Sequence, residues 1–410
     1  MNGINTGDTA FVLLCTGLVM LMTPGLALFY GGMVRSKNVL GTIVHSFFIL
    51  GMASVIWVLF GYSLAFGPDV GGFIGNLSWI GLNGVGQTAN AAYAPNIPHL
   101  AFMIFQGMFA VITPALITGA FAERIKFSGF ALFSVLWLIL VYSPVCHWVW
   151  GMGGWLRNMG VMDFAGGTVV HLNAGVAALA AAIVVGKRKD LGDGSLVPHN
   201  LPLTVLGAAL LWFGWFGFNA GSALAANGLA ANALVVTNLA AATAALAWAA
   251  AERAHRGKIT TLGVVSGCIA GLGTITPASG FVGPLPAIVI GLLAGTICYG
   301  GVLAKNRLGY DDSLDVVGIH GVGGVLGVLL TGVFASKLIN PAGLNGLAFG
   351  GGLLALKIQG IAVLAVIGYS FTATFILLKI VQYVVGLRLT GDDEETGMDL
   401  SQHSEVGYAL

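Results

Sequence analysis

Eleven times along this chain the sequence stays apolar for about the 20 residues a helix needs to cross a bilayer. The runs lie near residues 9–32, 41–65, 98–121, 127–148, 163–185, 200–220, 229–250, 260–278, 284–304, 317–337 and 351–382. Inside hydrocarbon every backbone N–H and C=O must find its partner within the protein, so only helices and closed barrels can span it. Barrel strands are shorter and alternate in polarity. The expected fold class is therefore an all-α polytopic membrane protein with eleven transmembrane helices. Only 8% of the 410 residues are charged, against roughly 25% in a soluble domain. The 63 glycines then read as close-packing positions between helices, not as linkers.

Charge sets the expected orientation. Lys and Arg fall in alternate loops: Arg35 and Lys37; Arg124 and Lys126; Lys187, Arg188 and Lys189; Arg253, Arg256 and Lys258; Lys305 and Arg307; and Arg388 beyond the last run. The intervening loops hold only Arg157 and Lys337. Positive loops stay inside, which predicts N-out, C-in and a multi-pass protein of the inner or plasma membrane. Met1 to Thr9 carries no Lys or Arg, so the first run is expected to be retained and not cleaved as a signal peptide. Residues 66–97, rich in Gly and Asn, should cap the outer face. Residues 386–410 form an acidic tail, either a solubilising extension or a regulatory segment docked on the basic loops. Net charge is +1 with no basic block, which excludes nucleic acid as a partner. Cys15, Cys146, Cys268 and Cys298 lack metal-ligand spacing; no metal and no cofactor is expected.

Two local patterns repeat. Asp163-Phe-Ala-Gly-Gly-Thr-Val-Val-His171 opens the fifth run, and Asp312-Ser-Leu-Asp-Val-Val-Gly-Ile-His320 leads into the tenth. Each Asp precedes its His by eight residues, and Gly175 and Gly324 follow four later. An ionisable ring inside a membrane segment is costly and should face a cavity or a partner. Either these are histidines at two packing seams, or they meet near the midplane and line a path. The fifth run enters from outside and the tenth from inside, as in an inverted repeat. That predicts a transmembrane domain, 1–385, with repeats over about 9–185 and 200–337 and an extra long helix over about 351–382.

Aromatic residues gather at the expected outer ends. Phe105 and Phe109 share a helix face at i,i+4, and Trp215, Phe218 and Ser222 share one in the sixth run. Trp150 closes the fourth. Trp150, Phe109 and Ser222 could form a cation site of ring faces and one hydroxyl, with Phe109 and Phe218 stacked as a constriction beneath. An ordinary interfacial aromatic belt is the other reading. An ion able to give up a proton could then cross as a neutral molecule, handed between imidazoles that bond each other, whereas K⁺ has no proton to yield. Asp163 reads as a helix cap that also lends negative potential to the mouth. His45, His99, His147 and His199 lie near run ends and have no assigned role. No HExxH, phosphate loop or cysteine ligand set appears, and no enzyme is expected.

These motifs, with Trp215-Phe-Gly-Phe-Asn-Ala-Gly-Ser222, Gly318-Ile-His-Gly-Val-Gly-Gly324 and the tail from Thr390-Gly-Asp-Asp-Glu-Glu-Thr-Gly to Gly407-Tyr408, resemble the ammonium transporter family (Amt/Mep/Rh), in its bacterial and archaeal Amt branch. The resemblance spans essentially the whole chain. It implies that His171 and His320 are twin pore histidines and that Phe109 and Phe218 are a gate. Trp150, Phe109 and Ser222 would be the outer ammonium site, Phe105 a vestibule aromatic, and Trp215 and Thr276 pore-side residues. It further implies ammonium or ammonia as substrate, with methylammonium as analogue. It also implies a homotrimer and control by a PII-type (GlnK-like) protein at the cytoplasmic face. A sensor signalling through its tail, and a channel for another small neutral solute, remain alternatives.

Overall fold

The structure, a computed structural model, describes residues 3–192, 194 and 196–408. In chain order its main helices are α1 (Thr6–Met33), α2 (Ser36–Phe66), α3 (His99–Phe121), α4 (Phe127–Met159), α5 (Gly167–Val185), α6 (Leu201–Gly221), α7 (Gly228–Arg256), α8 (Thr261–Ile275), α9 (Pro284–Leu308), α10 (Val317–Phe334) and α11 (Leu354–Val384). Ten of them are long and apolar enough to cross a membrane; α8, with 15 residues, reaches about 22 Å at helical rise. The sequence predicts a longer element there, to residue 278. The helix stops because Pro277 has no N–H with which to continue the ladder. Leucines such as Leu285 (77% exposed) and Leu364 (71%) stand on the outer surface of the bundle, which suits hydrocarbon as the surrounding solvent.

Small residues set how closely the helices approach. A Cβ placed on Gly207 of α6 would lie 2.2 Å from the Phe29 nitrogen of α1, and one on Gly295 of α9 2.3 Å from the Ala244 carbonyl of α7. The crossing of α5 and α10 is reciprocal. A Cβ on Gly175 would lie 2.2 Å from the nitrogen of Gly321, and one on Gly324 2.6 Å from the nitrogen of Leu172. Each glycine that follows one histidine by four thus meets the residue directly after the other histidine.

The two ends of the bundle differ. At the first, the Asn5 N–H bonds the Asn96 carbonyl at 2.8 Å. A cap here is built from two antiparallel ribbons: β1 (Asp69–Val70) with β2 (Ile74–Gly75), and β3 (Ala89–Asn90) with β4 (Ala94–Pro98). At the opposite, basic end, Arg188 forks onto Asp311 with two contacts of 2.9 Å and reaches Glu123 at 3.1 Å. Arg35 also takes Glu123 at 3.1 Å. Burial pulls the Glu123 carboxyl upward, but the Arg35 N–H and the charges of Arg35 and Arg188 outweigh it and hold the group below the usual range. Asp311 is lowered in the same way, burial being overcome by Arg188 and Arg124.

The tail is docked on the basic end. Leu389 N–H bonds the Arg124 carbonyl at 3.0 Å, and Arg388 grips Glu394 at 2.6 and 3.1 Å. Two short helices follow, α12 (Gly391–Thr396) and α13 (Met398–His403). The Met398 N–H bonds Asn38 Oδ1 at 2.8 Å, and Asp399 Oδ1 accepts the Gly41 N–H at 2.7 Å.

Candidate functional site

Both histidines sit in π turns at the starts of their helices, His171 in Gly167–Leu172 and His320 in Val317–Gly321. Such turns displace a side chain from the regular helix face and recur at functional sites. Each start is held by the Asp of the repeated pattern. Asp163 accepts from the N–H groups of Gly166, Gly167, Thr168 and Val169 at 2.8, 2.7, 2.8 and 3.1 Å, satisfying donors that a helix start leaves orphaned. Asp312 accepts from the Val317 N–H at 2.7 Å; burial pushes its carboxyl up to about 6, with the Lys305 charge pulling the other way. Asp163 is therefore fully engaged with backbone, although it stands in the wall of the cavity described below.

The two imidazoles lie nearly parallel, with centroids 5.2 Å apart and 14° between planes. Trp215 stacks on the other side of His171 at 5.2 Å and 20°. Neither ring nitrogen of His171, nor Nδ1 of His320, has a hydrogen-bond partner. The expectation that the imidazoles orient each other by a mutual bond is thus not met; stacking orients them instead. Trp215 is itself fixed, since its indole N–H donates to Thr276 Oγ1 at 2.9 Å and that hydroxyl donates to the Leu272 carbonyl at 2.7 Å. Thr276 reaches the site only through Trp215. Gly273, which sequence reasoning missed, leaves bare backbone beside the pair: a Cβ there would lie 3.6 Å from His320 Nδ1 and 3.8 Å from His171. A glycine offers no side-chain signal, so only packing reveals it.

Two cavities lie on either side of a stacked pair. The inner one is a narrow apolar passage lined by Leu26, Ile112, Trp215, Phe218, His171 and His320 among others. The one toward the capped end is lined by Phe109, Trp150, Ser222, Gln106, Arg157 and Asp163 among others. Phe109 faces the outer cavity and Phe218 the inner. Their rings meet at 4.2 Å and 32°, and both are essentially inaccessible. Trp150 stands edge-on to Phe109 at 5.8 Å and 88°, its indole N–H bonded to the Asp163 carbonyl at 2.8 Å. Ser222 donates its hydroxyl proton to the Phe218 carbonyl at 2.8 Å, which leaves its lone pairs free to accept. Phe105 is not brought into the cavity lining. It packs behind Phe109 at 5.0 Å, in the space that a side chain on Gly221 would fill.

A bundle of apolar helices around a passage too narrow and too apolar for a hydrated ion defines a multi-pass membrane protein that handles a small solute. The chain belongs to the Ammonium Transporter Family, whose pattern it matches over residues 10–408. A Bacillus subtilis (strain 168) protein named "Ammonium transporter" is 53% identical over 403 residues, covering 98% of each chain. The crystal structure of Saccharomyces cerevisiae Mep2 superposes with a TM-score of 0.89 at 36% identity, over 95% of this chain and 88% of that one. A solved "Sensor Amt Protein" gives 0.88 at 31% identity, over 97% and 98%.

Proposed function

We propose that the protein recruits NH₄⁺ in the outer cavity, takes its proton, and conducts NH₃ past the Phe109–Phe218 pair and the twin histidines. The observation that carries this reading is the set of buried ring nitrogens of His171 and His320 without partners, facing an apolar passage beneath an aromatic cavity. A buried polar atom left unpaired costs about 1–3 kcal/mol, so the arrangement makes sense when a small hydrogen-bonding solute supplies the missing bonds.

The chemistry follows from the residues. Trp150 and Phe109 present ring density to a cation, and Ser222 presents an acceptor oxygen to an N–H. The stacked phenyl rings must swing aside for passage, and as an apolar constriction they cannot replace the water shell of an ion. Transfer of a proton from NH₄⁺ to an unpaired imidazole nitrogen of the pair, or to water outside, leaves NH₃, which can enter the passage, where an imidazole both donates and accepts hydrogen bonds. K⁺ can satisfy neither requirement. The histidines could also relay the proton separately, since imidazole exchanges one near neutral pH.

The finer architecture belongs to the same reading. Eleven crossings, with the short α8 among them, would place the N-terminus outside and the tail inside. The alternation of Lys and Arg between loops supports this orientation. The reciprocal contacts of Gly175 with Gly321 and Gly324 with Leu172 support an inverted repeat of α1–α5 and α6–α10. Residues 386–410 would be a cytoplasmic regulatory tail, and the assembly a homotrimer met by a PII-type (GlnK-like) protein.

Reconstituted protein should take up labelled methylammonium, with competition by ammonium and none by K⁺. Absence of uptake in liposomes that contain folded protein overturns the proposal. The likeness to a "Sensor Amt Protein" favours one second reading, an ammonium sensor. That reading gains if a pore substitution abolishes uptake while ammonium still changes the exposure of the tail to protease.

A further inference from the structure

His147, on α4 three residues before Trp150, is wholly buried. Its Nδ1 lies 2.9 Å from the Ala65 carbonyl oxygen and its Nε2 2.8 Å from Oδ1 of Asp69 on β1. A carbonyl can only accept. Asp69 Oδ1 already accepts the Gly72 N–H at 2.8 Å, so it too behaves as an acceptor. Both ring nitrogens therefore donate, and an imidazole that donates twice carries both protons.

None of the other titratable groups on the surrounding elements bonds the ring. Tyr62 bonds His99 at 2.5 Å, Tyr93 donates to the Phe66 carbonyl at 2.9 Å, and Arg157 donates to the Trp150 carbonyl at 2.6 Å. Asp163 is spent on its four amides. Tyr142 and Cys146 do not bond the ring, whose two partners are Ala65 and Asp69. The pair is thus a buried cation facing one carboxylate, and it adds no net charge to the cavity.

The turn after Trp150 is wrapped around this pair. A Cβ on Gly151 would come within 2.4 Å of His147 Nδ1, one on Gly154 within 2.0 Å of the His147 carbonyl, and one on Gly153 within 2.5 Å of Asp69 Cβ. The β1–β2 ribbon also holds the turn directly: Trp148 Nε1–H donates to the Phe73 carbonyl at 2.8 Å and the Trp155 N–H to the Gly72 carbonyl at 3.0 Å.

We propose that the His147–Asp69 ion pair is a positioning element for Trp150: the protonated ring clamps the ribbon onto the turn and so fixes the indole in the outer cavity. This rests on reading that cavity as the ammonium-recruiting site. When the Nε2–Oδ1 contact is removed, the clamp weakens and the cavity holds NH₄⁺ less well. Loss of that contact then raises the half-saturating NH₄⁺ concentration more than it changes maximal flux.

The test pairs methylammonium uptake, plotted against the concentration of the cation, with nitrogen-15 NMR of histidine-labelled protein. Wild type should show one doubly protonated ring at neutral pH, assigned by its loss in His147→Gln. Asp69→Asn can donate to Nε2 and make a neutral pair. It should convert that signal to a single tautomer and raise half-saturation on the order of tenfold, as loss of a supporting hydrogen bond does elsewhere, with maximal flux little changed. A neutral His147 in wild type, or an Asp69→Asn curve that follows wild type at every concentration, overturns the proposal. Should the variants not fold, the wild-type spectrum still decides. If wild type takes up no methylammonium, the recruiting reading fails while the spectrum reports on the ion pair independently.

Discussion

Trp215 stacks on His171 at 5.2 Å while its indole N–H is tied to Thr276, just beyond the end of α8. One ring is thus oriented by another that is itself pinned by a hydroxyl. Thr276→Val keeps the shape and removes the acceptor, leaving the buried indole N–H unpaired at a cost of about 1–3 kcal/mol. Thermal unfolding in detergent should register the loss and methylammonium flux should fall, with Thr276→Ser close to wild type on both. Unchanged flux in Thr276→Val would remove Thr276 from the support of the site.

His171→Phe should separate stability from transport. The native ring carries two buried nitrogens without partners, so an apolar ring of similar size removes a penalty instead of creating one. The variant should unfold at the same or a higher temperature than wild type, while flux drops roughly 100-fold or more, as when a positioned proton-handling group is removed. A destabilised variant that retained flux would contradict the assignment of this ring to the passage.

Gly175→Ala should be among the most damaging single-methyl additions in the chain. Its new carbon would lie 2.2 Å from backbone of α10, where no side chain can yield. Overpacking of this kind costs about 1–3 kcal/mol. The yield of monodisperse protein on size exclusion, compared with Gly360→Ala where nothing lies within 4 Å, measures the difference.

Acid should loosen the basic end first. The Glu123 and Asp311 carboxyls are held below their ordinary values in the fold, so the folded state binds fewer protons than the unfolded chain. Their contribution is fully present above the unfolded carboxylate range, about 4, and is lost as pH falls from there through the lowered folded values. Glu123→Gln should lower the unfolding temperature at pH 7 and lessen its further fall on acidification. A parallel pH curve for wild type and variant would show that Glu123 is not part of this linkage.

Much of this could be read from residue order. The length of the apolar runs gave the long helices, and the Asp-to-His spacing of eight marked two similarly capped helix starts. Ring periodicity brought Phe109, Phe218, Trp150 and Ser222 to adjoining cavities. What escaped the sequence was written in backbone or in distant pairs. The π turns leave no residue signature, Gly273 contributes only by lacking a side chain, and α8 ends where Pro277 interrupts its ladder. His147 looked idle because its carboxylate lies on a ribbon 78 residues earlier in the chain. The docking of the tail depends on matching single amides to single carboxylates, which composition does not encode.

That docking also orders events at the ribosome. Asn38 receives the Met398 amide 360 residues further along, and Gly41 receives the Asp399 carboxylate 358 residues further along. The loops at this end emerge early in synthesis and remain without these partners until Met398 and Asp399 have been made. The basic end therefore cannot close until the long stretch between these partners has been synthesised, so a chain interrupted before Met398 leaves Asn38 and Gly41 without them.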